Sequence, residues 1–387
     1  MSGYSYGYGV RKARLHVMRQ SEWPRARQEF AGKGLVFHRV PEVKEFLRLV
    51  GASDPAFCVL PNCSPYSHLA ASLWLCKAPT MLIDAPEELP RAGFASVDFD
   101  NELLVVAECE AEVEMVGSLH RSPEFKALQL GPVPIEVLIE PSAAADVDAS
   151  IRNYADGLSV VRADQLLLAD GTLDLQLLEA LRARQIEETI YVRFFDPDSV
   201  NISSRKCPQV PQPSLGYRGI RILEIDGAWV EKFHAATELL DPEKTVVVAP
   251  MVTSAQELVR LANLLGPRYQ RIGVTIETPA AAVCCSTLLR HAEFVQIGLN
   301  DLTQYTMAWD RDVPQEERLP RNHIAPPVAA LIKTVAASCS AHGVRYTLGL
   351  DLRPAADLAA QIRGLGVTSI SCARALARPW KQAFSRL

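Results

Sequence analysis

Between Arg271 and Arg311 the chain reads RIGVTIETPAAAVCCSTLLRHAEFVQIGLNDLTQYTMAWDR, and this stretch limits the possible folds more than any other. IGVTI is an apolar, β-branched run of strand length that stops at Glu277. Thr278-Pro279 follows, and a proline there fits the first turn of a helix. FVQIG is a second such run, closed by Gly298 and followed by Asn300-Asp301 and another helical pattern. Strand, acid, helix, stated twice, is the pattern of a (β/α) barrel, in which chemistry gathers where the strands end. Glu277 and Asp301 at neighbouring strand tips, with Arg311 close by, suit a hard divalent cation that holds an anionic substrate. The plainer alternative is a pair of structural acids at the strand ends of some other barrel.

A chain of 387 residues has room for a full barrel and one further domain. Its 48% hydrophobic and 22% charged residues are those of a soluble globular protein. The net charge of −5 gives no reason to expect nucleic acid or an anionic membrane as partner. Nine cysteines without CxxC pairs or zinc-spaced histidines point to reduced thiols and a cytoplasmic setting. No signal peptide and no apolar run of bilayer length is evident.

From the N-terminus, GYSYGYGVRKARLHVM, LVFHRV, AFCVLP, TMLID and ELLVVA read as short strands of a compact first domain, with PEVKEFLRLV and SHLAASLWLC as helices. Between them Asn62-Cys63-Ser64-Pro65-Tyr66-Ser67 forms a turn-rich loop that places His68 near a helix N-terminus. The positive end of the helix dipole favours a neutral imidazole there, and favours a phosphate added to it. A lone histidine at a helix start is otherwise more often structural. Residues 111–132 read as a polar helical connector. IEVLIE then opens the barrel, GLSVVRAD delivers Arg162 and TIYVRFFD delivers Arg193. PDSVNISSRKCPQVPQPS reads as an exposed loop, and GYRGIRIL carries Arg218 as a third strand-end arginine. TVVVAPM and the two acid-bearing strands come next, with RYTLGL as the last barrel strand, and PAADLAAQIRGLGVTSISCARALARPWKQAF closes the fold with a helix, a short strand and a helix. Any one of these arginines could be a surface ion pair. Together they supply the planar, permanently charged forks that phosphate and carboxylate oxygens require.

ETPAA followed by GxNDLTQYTxAxDR resembles the phosphoenolpyruvate (PEP)-binding barrel of PEP synthase, pyruvate phosphate dikinase and Enzyme I of the sugar phosphotransferase system. The related acyl-CoA lyase barrels do not carry NDLTQYT. GLSVVRAD, YVRFFD, PSLGYRGIR and AWDRD are similar to that family's GxxLxRTE, VRTxD, NPxLGxRGIR and AxDRD. The resemblance implies an α/β chain: a (β/α)8 TIM barrel over 133–387, preceded by a small swivelling β/β/α phosphohistidine-like domain over 1–110 and a 111–132 linker helix. It implies that Arg162, Arg193, Arg218, Asn300 and Arg311 grip PEP or pyruvate while Glu277 and Asp301 hold Mg2+. It also implies that His68 is the phosphoryl carrier. SHLA matches the family's GGxTSHAA at Ser67, His68 and Ala70, whereas Cys63, Ser64 and Tyr66 stand in for two glycines and a threonine.

Two departures bear on chemistry. Leu348 stands where the family's CGExxGD motif has its proton-donating cysteine, and Asn201 stands near the place of a family lysine. A leucine donates no proton, which leaves Asp351 and Thr347 as substitutes by position. The chain has no room for the nucleotide-grasp domain or the helical insert of its likenesses, so the resemblance implies a separate nucleotide-binding or phosphocarrier protein as second partner, and a homodimer. Three functions stay open: PEP-dependent phosphotransfer through His68, a regulatory protein that binds PEP without turnover, and a Mg2+-dependent enolate chemistry with an idle histidine.

Overall fold

The computed structural model describes residues 4–6, 10–18, 31, 33–37, 46, 55–61, 80–83, 89, 94–98, 103–107, 135–147, 155–168, 171–196, 215–309 and 323–387. His68, Arg311, the 111–132 connector and the 197–214 loop lie outside them. The chain divides into two compact units.

Among the described residues, the first unit is a seven-stranded mixed sheet. Its strands are β1 (Tyr4–Tyr6), β2 (Val10–Met18), β3 (Gly34–Phe37), β4 (Phe57–Pro61), β5 (Thr80–Ile83), β6 (Phe94–Asp98) and β7 (Leu103–Ala107), in the order β1-β5-β4-β3-β2-β6-β7. The middle four run parallel, and β1, β6 and β7 add antiparallel edges. The apolar runs of β3 and β4 are buried throughout except Pro61. Val36, Phe57 and Val59 pack with Leu89, Ala95 and Val97 to make this unit's core. FASVD (β6) is a strand that its sequence does not announce, since its alanine and serine carry little strand preference.

The second unit is a parallel barrel. Its strands are β8 (Glu136–Ile139), β9 (Gly157–Leu158), β10 (Val160–Arg162), β11 (Ile190–Arg193), β12 (Thr245–Ala249), β13 (Ile272–Ile276), β14 (Phe294–Gly298), β15 (Arg345–Gly349) and β16 (Ser369–Cys372). Only Ser159 separates β9 from β10. Gly157–Leu158 pairs with β8, Val160–Arg162 pairs with β11, and the Ser159 amide donates to the Ile139 carbonyl at 2.7 Å. One broken strand therefore serves both neighbours. Since β16 also pairs with β8, eight strands complete the ring of a (β/α)8 barrel.

Two expectations are corrected here. RYTLGL is the seventh strand; the eighth is the four-residue SISC of β16, which hydrogen-bonds to β8 in register Ser369 to Glu136. GYRGIRIL forms no strand. Its apolar residues make a 3₁₀ turn, Gly219–Glu224, entered at Gly219 with φ +56°. A Cβ at Gly219 would strike the Pro250 carbonyl oxygen, so only glycine permits the turn. Arg218 thus stands ahead of a 3₁₀ turn and not at a strand end.

β12 and β13 are buried at every position, as expected for strands covered on both faces. Val160, Val246, Val248 and Phe294 fill the barrel interior together with Tyr191, whose ring centroid lies 4.1 Å from that of Phe294. Each such side chain contributes roughly 1.5–3 kcal/mol by leaving water. Towards the C-terminal ends of the strands the interior becomes polar, beginning with the Ser369–Thr347 hydroxyl pair at 3.3 Å. Thr278 caps the helix Pro279–Val283 by accepting from the Ala281 amide, and donates its own hydroxyl to the Val252 carbonyl at 2.9 Å. A cap of this kind is worth about 1 kcal/mol. It also fixes the direction in which the preceding residue, Glu277, leaves its strand.

Candidate active site

At the C-terminal mouth of the barrel the guanidinium of Arg218 is held between two carboxylates. Its Nη2 lies 2.6 Å from Asp196 Oδ2 and its Nη1 lies 2.6 Å from Asp301 Oδ1. Nη1 also donates to the Tyr305 hydroxyl at 3.1 Å, and the Gly219 amide donates to Asp196 Oδ1 at 2.8 Å. All three charged side chains are almost wholly buried. Burial works against the charge on Arg218, yet Asp196 and Asp301 outweigh it and hold the guanidinium well above its usual value. Burial likewise pushes Asp196 up, but Arg218 and then Arg193 prevail and lower it. Arg218 is therefore a permanent cation that sets the position of Asp301.

Glu277, just past β13, is 2% exposed. Its Oε1 accepts from the Met251 amide at 2.7 Å. Met251 reaches that orientation at φ +56°, an uncommon conformation for a residue with a side chain. The other oxygen, Oε2, lies against Gly298, where an added Cβ would sit 2.8 Å away. Burial and then the negative charge of Asp301 raise the Glu277 carboxyl to about 7, with Asp196 adding to the effect and Arg193 and Arg218 opposing it. Two buried acids that repel one another are short of positive charge. A cation placed between them would relieve that repulsion.

Around this pair stand the remaining expected groups. Arg193, at the end of β11, has a buried Nε without a hydrogen-bond partner among the described residues. Its charge bears on Asp196, Glu277 and Glu140 alike. Arg162, ending β10, is gripped by Asp164 through Nη2 at 2.9 Å and Nε at 3.2 Å, while its side chain remains 41% exposed. The Asp164 charge raises its guanidinium further. Asn300 donates to Asp351 Oδ2 at 3.0 Å, and its Oδ1 is buried with no hydrogen-bond partner among the described residues. Arg162, Arg193, Arg218, Glu277, Asn300 and Asp301 are thus gathered at one barrel mouth. His68 and Arg311 lie outside the described residues.

The comparison with protein families bears directly on this arrangement. The family described as "PEP-utilising enzyme, PEP-binding domain" matches residues 118–386. The chain belongs to the PEP-utilising enzymes. Among curated relatives, a phosphoenolpyruvate-protein phosphotransferase of Streptomyces coelicolor is 28% identical over 79% of this chain and 59% of its own length. A multiphosphoryl transfer protein of Xanthomonas campestris is 32% identical over 58% of this chain and 28% of its own length. A probable phosphoenolpyruvate synthase of Pyrococcus abyssi is 27% identical over 56% of this chain and 30% of its own length. The chain spans less than two thirds of each of these relatives.

Within this PEP-binding family barrel, the mouth also holds groups to which the sequence pattern assigns no role. Asp196 is the final residue of the quoted YVRFFD, and only the fold shows it clamping Arg218. Glu140 follows β8, with Oε1 accepting from Gln296 Nε2 at 2.7 Å and from Ser371 Oγ at 2.8 Å. Its signal was present: IEVLIE ends in an acid, as IGVTIE does. Leu348 is fully buried. Its neighbours face the barrel interior: Thr347 meets Ser369, and a Cβ on Gly349 would lie 3.3 Å from Glu140 Oε1. The pleat therefore turns Leu348 outward. Among the described residues no helix is long and apolar enough to cross a membrane.

Proposed function

We propose that this chain is a PEP-dependent phosphotransferase that moves a phosphoryl group between PEP and His68, with its second substrate site on a separate nucleotide-binding or phosphocarrier protein. The observation that carries the reading is the barrel-mouth cluster, in which Arg218 is locked between Asp196 and Asp301 beside the buried Glu277 and the unpartnered Nε of Arg193. The relatives named as phosphotransferases and synthases supply the direction of the chemistry.

The residues present fit Mg2+. Glu277 and Asp301 would hold it, with its other positions left to substrate oxygens and water, as is usual for this ion. Among the described residues no group of three or more His, Cys, Asp or Glu side chains could hold a metal ion by itself. When bound, Mg2+ would neutralise charge on the phosphoryl and enolate oxygens. Arg193 and Arg162 would bind and orient the phosphate and carboxylate, since their planar donors match those oxygens. Arg218 gives four of its five N–H donors to Asp196, Asp301 and Tyr305, so it would fix Asp301 and keep one donor for a substrate oxygen. A neutral His68 nitrogen would attack phosphorus in line, with enolpyruvate as leaving group. A cytoplasmic location and a homodimer belong to the same proposal.

One observation favours a second reading, a regulatory protein that binds PEP without turnover: Leu348 is buried and offers no proton. Incubation with PEP labelled in its phosphoryl group separates the two. Acid-labile label on the protein, lost in His68→Ala, supports phosphotransfer. Binding of PEP with no label on the wild-type chain would refute it and leave the regulatory reading.

A further inference from the structure

Glu140 takes no part in the chemistry described so far, yet it is a carboxyl at the barrel mouth built into a network of its own. Both neighbouring donors, Gln296 Nε2 and Ser371 Oγ, converge on Oε1. Neither of these bonds involves Oε2. That one-sided arrangement suits a protonated carboxyl, in which Oε1 is the carbonyl oxygen and Oε2 carries the proton. Gly349 lets these three side chains crowd against its backbone: an added Cβ would lie 3.2 Å from Gln296 Nε2, 3.3 Å from Glu140 Oε1 and 3.4 Å from Ser371 Oγ. We propose that Glu140 is the proton carrier of this pocket, giving a hydrogen to the methylene carbon of bound enolpyruvate and taking it back in the reverse direction.

The inference rests on the PEP reading of the site. In the forward step the enolate π pair forms a C–H bond at the methylene carbon, the Oε2–H bond of Glu140 breaks, and pyruvate is left beside a Glu140 carboxylate. Solvent water returns the proton. In reverse, the carboxylate removes a methyl proton of pyruvate and the electron pair becomes the enolate double bond.

Burial, only partly opposed by the Ser371 hydrogen bond and the charges of Arg193 and Arg162, raises the Glu140 carboxyl above its ordinary value, which moves it towards the range where it can serve as both acid and base. The other nearby groups are less suited. Thr347 is fully buried and accepts from Ser369, and a hydroxyl is a far weaker acid than a carboxyl. Asp351 is engaged by Asn300. Cys372 is buried on the outer side of β16 with its thiol on the Leu138 carbonyl, and burial pushes it well up.

The test is exchange of the methyl hydrogens of pyruvate in D2O, followed by proton NMR with Mg2+ and inorganic phosphate present, together with PEP affinity by calorimetry. Glu140→Gln keeps the shape and can still accept from Gln296 and Ser371. It should bind PEP as the wild type does while losing exchange by roughly 10²–10⁴-fold, and Glu140→Asp should retain part of the rate. The wild-type rate should rise with pH through a value above the usual glutamate range, a limb that Glu140→Gln lacks. Exchange by Glu140→Gln at the wild-type rate overturns the inference. So does a wild-type protein that binds PEP but exchanges nothing. A wild-type protein that binds no PEP refutes the PEP reading itself and the inference with it.

Discussion

The Glu277 carboxyl makes the cation-free protein lose stability as pH rises, against the usual behaviour of a paired acid. Its folded-state value is about 7, against an ordinary 4.5. The unfolded chain therefore gives up this proton first. Between about 4.5 and 7 the folded state holds more protons than the unfolded one, so stability is fully present below the lower value and falls until the upper one is passed. At about 1.4 kcal/mol per unit the loss amounts to roughly 3 kcal/mol. Urea unfolding across this window in the presence of a chelator measures it. Glu140, also raised, adds a fall of the same sign, whereas Asp196, which is lowered, acts only at more acid pH. The difference between wild type and Glu277→Gln isolates the group of interest: the variant should be spared roughly 3 kcal/mol of the decline. Magnesium at about a hundred times its dissociation constant should return about 2.7 kcal/mol to the wild type at neutral pH and less to the variant. If the difference between the two proteins stays constant from pH 4.5 to 7, Glu277 is not the buried, charge-starved acid described here.

Gly298→Ala should be tolerated by the backbone, since φ is −87°, but its methyl would press on Glu277. A cost of about 1–3 kcal/mol for overpacking and a matching fall in Mg2+-dependent PEP affinity are expected, from urea unfolding and calorimetry. Arg218→Met leaves Asp196 and Asp301 buried without their cation; it should cost about 3–5 kcal/mol and be rescued in part by Asp196→Asn in the same chain. Arg162→Ala breaks only a half-exposed pair with Asp164. Its unfolding free energy should move by less than about 1 kcal/mol, while PEP affinity falls about tenfold or more because a charge-assisted contact is lost.

Much of the barrel was legible because its strands are buried on both faces. TVVVA, IGVTI and FVQIG are largely apolar runs, and the acids that follow the last two, Glu277 and Asp301, mark the mouth of the barrel directly. Where the local pattern departs from that rule, the reading slipped. GYRGIRIL is apolar and β-branched enough for a strand, yet the positive φ of Gly219 and its contact with Pro250 force a turn. SISC is legible as a short strand between two helices, but at four residues nothing in it marks a barrel strand, and that role comes only through its pairing with β8. The break at Ser159 is equally invisible in GLSVV, because both halves remain extended and only their partners differ. At the site, Glu277 and Asp301 stood out by spacing. The clamp of Asp196 on Arg218 and the convergence of Gln296 and Ser371 on Glu140 join residues 22, 156 and 231 positions apart. Such contacts follow from closure of the ring and not from local sequence.

The proposed activity depends most on two buried acids and the arginines around them recruiting magnesium and an enol phosphate together. Isothermal calorimetry of PEP binding at neutral pH, with Mg2+ and then with chelator, tests this directly. The expected result is saturable binding in Mg2+ that weakens strongly in chelator and disappears in Glu277→Gln. Binding of equal strength in all three cases, or no binding in any, would contradict it.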